Sequence, residues 1–509
     1  GWVAAAYLAK AGRSVLLLEK NETLGGATAS TRVFPDYEAL LSRYSYLVSL
    51  FPEKIIRDLD LGFQTRQRST ASFTPWRDPA GEHRGHVLSN VDEARSRDSM
   101  FELTGKHSSW DRYQEFLSLQ STIAKLIWPS MLQRLRSRIS FESLLQSERQ
   151  KRAWRSFVER PLGEAIEEYA DHDALRGLLL TDGKIGVFTH AHDPSLLQNR
   201  CFLYHVIGNE TGQWRVPVGG MKSLVDSLVK RCRSLGVQFL ANATALHVDR
   251  GETTHEVTFA VEDGERSATA RDVLVNAGPR TFASLLQRPW KAKREDEGSV
   301  IKINMLLNRL PRLKADGTSS SEAFCGSFHI DEGYEQLESS YRTASRCEIP
   351  SPAPGEVYCH TLTDSSILSD ELQQRGFHTL TLFGLDMPWR LFESDHDQQR
   401  TKVAELYLQG LNNLCEEPFE QCLALDTSGQ PCIEVKTPQD LQSEIDLDHG
   451  NIFHNALSWF YGEGDQVGSW GVETEYPGIY RAGASAVRGG AVSGIPGHNA
   501  AMCILRIES

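Results

Sequence analysis

What this chain of 509 residues lacks narrows its chemistry first. Its nine cysteines are scattered, odd in number and never spaced Cys-x-x-Cys, so they spell neither a secreted disulfide framework nor a thiol-disulfide redox pair. The tightest group, Cys415, Cys422 and Cys432, has the spacing of no zinc site. Apolar runs last only a few residues, and a transmembrane helix needs about 20. Positive charge is short as well, with 54 Lys and Arg against 67 Asp and Glu and a formal net charge of −13. A surface of that average sign repels nucleic-acid phosphates; local basic stretches such as Arg134 to Arg138 and Lys291 to Arg294 read as solvated helix faces. There is no Gly-x-Ser-x-Gly elbow, no Walker phosphate loop, no internal repeat and no low-complexity tract. At 40% hydrophobic composition the chain can bury a sizeable core over two to four domains.

What is present is concentrated at the two ends. Trp2 to Lys10, rich in alanine (Ala4, Ala5, Ala6, Ala9), predicts a helix able to lie close to a sheet, stopped by Ala11-Gly12. Val15 to Leu18 predicts a short parallel strand buried on both faces, ending in Glu19. An acid at that position of a βαβ unit accepts hydrogen bonds from both hydroxyls of an adenosine ribose. With Gly1 as the third glycine of a G-x-G-x-x-G fingerprint, Glu19 falls at about the expected spacing of roughly 20 residues. On this reading the first strand and most of the phosphate loop would precede Gly1, and the piece as given is expected to retain its cofactor weakly. Gly25-Gly26-Ala27 follows, where paired glycines let backbone amides approach a ligand that a Cβ would block.

Gly1, the alanine-rich helix, Glu19-Lys20 and Gly25-Gly26-Ala27 together resemble the amino-terminal FAD site of phytoene-desaturase-type flavoproteins. Within that group the chain is most similar to the pyridine nucleotide-disulfide oxidoreductase domain-containing protein 2 branch, over nearly its whole length. The resemblance implies an α/β fold of the two-dinucleotide-binding-domain flavoprotein superfamily. Its parts are a discontinuous Rossmann-type FAD-binding domain (1–84, 210–285 and 456–509) and an α+β substrate or cap domain (85–209 and 286–455). It further implies that the strand holding Val248 sets backbone groups against adenine, and that the Asn276-Ala277-Gly278 turn passes near the pyrophosphate.

Between the ends, Leu40, Leu41, Tyr44, Leu47 and Val48 have helical spacing up to Pro52. Residues 85–169 are polar, charged and largely helical, with a core stripe of Phe116, Ile123, Leu126 and Ile127. After Pro217-Val218-Gly219-Gly220-Met221 comes a helix, Lys222 to Arg233. Strands are expected at Val237 to Leu240, Ala245 to Val248, Glu256 to Val261, Ala268 to Ala270 and Asp272 to Val275. In the second excursion they are expected at Val300 to Leu307 and Thr379 to Leu385, with a helix over Thr401 to Leu414. Near the end, Pro477 to Ser485 reads as turn, strand and glycine stop, and Gly489 to Ala501 as a glycine-rich loop opening the last helix. A helix start lined by small residues favours negative charge, such as that of a reduced flavin ring. Gly483, Ser485, Gly490, Val492, Gly497 and Asn499 are the candidate contacts there. Ala484-Ser485 stand where many such flavoproteins carry an aspartate, so Ser485 or backbone amides take that work.

His190-Ala191-His192-Asp193 could place two histidines on one strand face, but it reads as a loop of solvated histidines, and the resemblance implies no metal. His329, His360 and His498 are the groups to test first for proton chemistry; no catalytic residue is assigned, because the flavin itself takes the hydride. The function expected is that of an FAD-dependent oxidoreductase acting on an apolar small molecule, placed by the resemblance in the mitochondrial matrix. Rival readings are a carotenoid-type desaturase or isomerase, and a low-turnover flavoprotein regulator that binds a respiratory-chain protein partner.

Overall fold

The computed structural model describes residues 1–506. The opening helix, Trp2–Lys10, buries Ala4, Ala5 and Ala6. The absence of bulk on that face lets the closing helix, Ile495–Leu505, come so near that a Cβ on Gly497 would lie 3.1 Å from the Ala4 amide nitrogen. Strand Leu16–Leu18 follows and pairs in parallel with Gln238–Leu240, while Val273–Val275 pairs in parallel with Ile479–Arg481. Strands drawn from the beginning, middle and end of the sequence thus form two separate parallel pairs, and Lys222–Ser234 is a helix while Thr244–Arg250, His255–Val261 and Gly264–Ala270 form a three-stranded antiparallel sheet. Leu16–Leu18 is not buried on both faces as its apolar run suggests: it has one strand neighbour among the described residues, and Leu16 is 41% exposed.

The stretch before Pro52 departs from its helical spacing. Its backbone is held by other segments instead, Leu40 by the Ile367 carbonyl and Val48 reciprocally by Arg215. Helix begins only after the proline, at Glu53–Leu59, where a missing amide donor costs nothing.

A second sheet has seven strands in the order Ile433–Lys436, Ile301–Leu307, His378–Gly384, Gly355–Tyr358, Ser327–Ile330, Thr70–Arg77, His83–Ser89. The boundary expected at residue 84 therefore falls inside its last strand, and the hairpin Thr70–Ser89 belongs to this sheet through the parallel pairing of Ser72 with Ser327. Side chains alternate across a strand. One face carries Ile301, Ile303, Met305, Phe328, Val357, Leu380 and Leu382, packed in an apolar core with Tyr407 and Leu411 of helix His396–Leu414. The opposite face carries Lys302, Asn304, His329, Glu356, Thr379 and Thr381, which are polar and also buried.

A helical layer spans the remainder, including Ser108–Ile127, Asp173–Thr181 and Leu197–Val206. Phe116, Ile123 and Ile127 of the expected stripe are fully buried and Leu126 partly so, each full burial stabilising by about 1.5–3 kcal/mol.

Candidate functional site

Three distant segments meet at one point. A Cβ on Gly1 would lie 3.3 Å from Asn276 Nδ2, and one on Gly483 would lie 2.6 Å from Asn276 Oδ1. Ser485, buried, donates from Oγ to the Ala277 carbonyl at 3.3 Å, which joins the carboxyl-terminal glycine stop to the Asn276-Ala277-Gly278 turn. The contact between Gly497 and Ala4 sets the first turns of the opening and closing helices side by side. Two positive helix ends at one place favour an anion there.

Glu19 sits where an adenosine-binding acid should. Its amide donates to the Leu240 carbonyl, its own carbonyl accepts from Ala243, and Oε1 accepts from the Asn21 amide at 3.0 Å. Among the described residues its Oε2 takes part in no hydrogen bond, and the side chain is partly exposed. The residues hydrogen-bonded to Glu19 are thus Asn21, Leu240 and Ala243. Val248 is paired with Val257 in the three-stranded sheet and packs its side chain with Val275 and Phe282. Lys20, a second expected contact, is engaged by Asp446. From there a continuous path runs across the molecule. Asp446 bonds Arg280 at 3.3 Å, Asp448 accepts from the Arg280 amide at 2.7 Å, and a Cβ on Gly278 would meet Asp448 at 2.5 Å and His454 at 3.0 Å. Next to His454, Phe453 would be 2.9 Å from a Cβ on Gly490. These contacts link the segment after Glu19 to the loop at Gly490 through residues 446–454.

Gly25 (φ +116°) and Gly26 (φ +54°) adopt left-handed backbone that exposes amides. The Ala27 carbonyl accepts from Ser45 Oγ at 2.8 Å. At the other end Gly490 has φ +100°, and a Cβ there would also lie 3.0 Å from Tyr204 Oη, which has no hydrogen-bond partner. Buried Arg488 anchors this loop by donating to the carbonyls of Ser130 (2.6 Å), Gln133 (2.8 Å) and Trp470 (3.2 Å). The last helix starts at Ile495, later than Gly490, because Gly494 (φ +67°) turns the chain first. Val492 packs partly against the core of the opening helix. Asn499 is fully buried with its amide group on the Met131 carbonyl (3.2 Å) and His498 (3.0 Å), so that side chain is structural. His498 packs on Tyr7 at 5.1 Å and leaves the list of proton-transfer candidates. A cleft flanks the loop, lined by Leu203, Tyr204, Phe453, Trp459, Ala486 and Gly489.

From Ala27 and Ser45 the chain leads directly to Tyr46, and thereby to the polar face of the seven-stranded sheet. Lys302, 1% exposed, donates from Nζ to the Ser42 carbonyl at 3.3 Å and stands 4.6 Å from the Tyr46 ring. Burial pushes its pKa well below the ordinary lysine value. Tyr46 lies 4.7 Å from Tyr358 and 5.5 Å from His360. His360 is pushed down to about 3, by burial above all, with neighbouring Lys302 and Arg68 acting in the same direction. Tyr358 donates to Glu356, and burial together with neighbouring Glu332 pushes Glu356 up to about 8. His329 pairs with Glu332. Two of the three histidines chosen from sequence, His329 and His360, therefore lie at this buried polar face. Sequence reasoning missed Lys302, Glu356, Tyr358 and Tyr46. The available signal was a lysine and an asparagine at alternate positions of Val300 to Leu307, where a strand buried on both sides should be apolar throughout. His190 and His192 are held by Glu338 (3.8 Å) and Glu167 (2.8 Å) on the surface.

The glycine cradles at residues 25–26 and 490, the unused oxygen of Glu19 and the paired helix starts fit a flavin dinucleotide. The family model "Flavin containing amine oxidoreductase" matches residues 1–362. An uncharacterized protein of Mycobacterium tuberculosis is 38% identical, the alignment covering 99% of this chain and 95% of that protein. Pyridine nucleotide-disulfide oxidoreductase domain-containing protein 2 of Rattus norvegicus is 27% identical, covering 99% and 91%. Cyclohexylamine oxidase from Brevibacterium oxydans shares the fold with a TM-score of 0.54 at 14% identity, over 99% and 96% of the two chains. With FAD as the cofactor those features describe, the chain belongs to the flavin containing amine oxidoreductase family.

Proposed function

We propose that this protein dehydrogenates a small molecule carrying a polar group, an amine first among the candidates, on the carbon that is oxidised. The observation that carries the reading is the buried polar face around Lys302, joined through Ser42 to Tyr46 to the Gly25-Gly26-Ala27 turn. Glu19, the amides of the Gly25-Gly26 turn and the Gly483 to Gly490 loop would hold FAD, with Ser485 and Asn276 fixing the turns around it. FAD, when bound, supplies the hydride acceptor.

The chain's own residues do the rest. Burial holds the pKa of Lys302 well below the ordinary lysine value, which favours the neutral amine whose Nζ would take a proton from the substrate. Tyr46 and Tyr358, tilted 45° to each other with ring centroids 4.7 Å apart, would wall the position where a small substrate lies. The aromatic and aliphatic cleft beside Gly489 suits an apolar body. A wholly apolar substrate, such as a carotenoid, would set apolar surface against the amine of Lys302, whose one protein acceptor is the Ser42 carbonyl at 3.3 Å. That favours a substrate with a polar head over the carotenoid alternative. Location in the mitochondrial matrix and a respiratory-chain partner rest on the resemblance alone, and the more similar of the two relatives above is bacterial.

The test is anaerobic mixing of the flavin-loaded full chain with a panel of primary and secondary amines, amino alcohols and apolar polyenes. Loss of oxidised-flavin absorbance with a member of the polar set, absent in Lys302→Met, supports the proposal. Bleaching by polyenes alone overturns it.

A further inference from the structure

Behind Tyr358 lies a group of side chains that the oxidation does not use. His329, Glu332 and Glu356 each offer a ligand atom, and these atoms lie within 4.8 Å of one another. All three residues are at most 4% exposed. They come from three places: His329 from strand Ser327–Ile330, Glu356 from the neighbouring strand Gly355–Tyr358, directly opposite His329 in the antiparallel register, and Glu332 from the turn that follows the first strand.

We propose that His329, Glu332 and Glu356 form a binding site for one divalent first-row transition-metal ion. Four observations carry it. The first is donor type: two acids and an imidazole, each a common ligand of first-row metal ions, are buried in one place. Second, Glu332 Oε1 has no hydrogen-bond partner although it is buried, which marks ligand capacity that the protein itself leaves unused. The third is orientation from outside the group. Thr181 Oγ1 donates to Glu332 Oε2 at 3.0 Å and Tyr358 Oη donates to Glu356 Oε2, leaving Glu356 Oε1 turned toward His329 at 3.9 Å. Metal-binding carboxylates are held in this way by outer hydrogen bonds. The fourth is spacing: ligand atoms about 2.1 Å from a common ion are separated by about 3 to 4.2 Å, which the 3.9 Å His329–Glu356 separation meets. His329 and Glu332 are in direct contact and separate slightly to admit the ion.

An imidazole among the ligands selects manganese, iron or zinc over calcium and magnesium, which prefer oxygen alone. Three protein ligands leave coordination positions open. The inference is independent of the proposed substrate, because its readout is metal content.

The full chain, produced in medium supplemented with manganese, iron and zinc and desalted without chelator, is assayed by inductively coupled plasma mass spectrometry. The expected result is about one equivalent of a single metal per chain, with Glu332→Gln/Glu356→Gln holding less than a tenth of that while keeping its flavin content. Thr181→Ala should weaken metal affinity by about 10- to 100-fold. A second readout is thermal unfolding with and without EDTA. EDTA should lower the midpoint of the wild type and leave the double variant unmoved. Wild-type protein with less than about a tenth of an equivalent overturns the proposal, as does metal content unchanged in the double variant. A double variant that is more stable than untreated wild type also overturns it, because it shows that the two acids are simply buried charges whose removal helps.

Discussion

Lys302→Met tests the buried polar face most directly, because methionine keeps an apolar stem of similar length and lacks the amine. The structure gives Lys302 Nζ one hydrogen-bond acceptor, the Ser42 carbonyl at 3.3 Å. The charges that act on it, Glu434 and Arg43, oppose each other and are paired together. Burial therefore lowers its pKa, while an unfolded lysine titrates near about 10.4. Between those two values the unfolded chain holds a proton that the folded chain does not, so folding stability rises with pH across that window. Below the folded value both states are protonated and the penalty of burying the charge is fully present; above about 10.4 neither is, and it vanishes. One proton gives a slope of up to about 1.4 kcal/mol per pH unit, or up to about 2.7 kcal/mol between pH 7 and pH 9. Methionine does not titrate. Urea denaturation of both proteins at pH 7, 8 and 9 should show the wild type gaining on Lys302→Met by an amount of that order, with the variant the more stable of the two at pH 7. Turnover at pH 7 should fall by about 10²- to 10⁴-fold in the variant, with flavin content unchanged. A stability difference that stays constant across the three pH values would refute the reasoning, since it would mean that the amine is charged and solvated.

Glu19→Gln removes the negative charge from a carboxylate with an unused oxygen; FAD affinity measured by flavin fluorescence should drop by about 10- to 100-fold, the worth of one charge-assisted hydrogen bond, while apoprotein stability stays level. Gly490→Val places a branched side chain at φ +100° with Cβ 2.9 Å from Phe453 and 3.0 Å from Tyr204; strain of about 1–2 kcal/mol from the backbone alone should appear as a lower unfolding midpoint and a sharp loss of bound flavin. Arg488→Ala strips the partners from three carbonyls around a buried loop, and at about 1–3 kcal/mol for each group left unpaired chemical denaturation should register a loss of at least about 3 kcal/mol.

Local pattern was enough to locate most elements. The alanine face of Trp2–Lys10, the apolar run ending at Glu19, the strand before Asn276 and the glycines before Ile495 each follow from steric or propensity rules acting over a few residues. Where local pattern failed, a distant partner was responsible. The residues from Leu40 to Val48 have helical spacing, yet hydrogen bonds from Ile367 and Arg215 hold them extended. The hairpin Thr70–Ser89 joins a sheet whose other strands begin more than two hundred residues later.

By itself the sequence determined which segments could bend, pack closely or bind a ribose, since those properties belong to glycine, alanine and glutamate wherever they stand. Only the tertiary structure decided that Gly1, Asn276 and Gly483 share one point, and that Lys302, Tyr46, His329 and Glu356 share one buried polar face. The physical reason is that a side chain's protonation, partners and solvent access are set by neighbours hundreds of residues away. A lysine or a glutamate reads as a surface residue in the sequence until folding closes a sheet over it and removes the water.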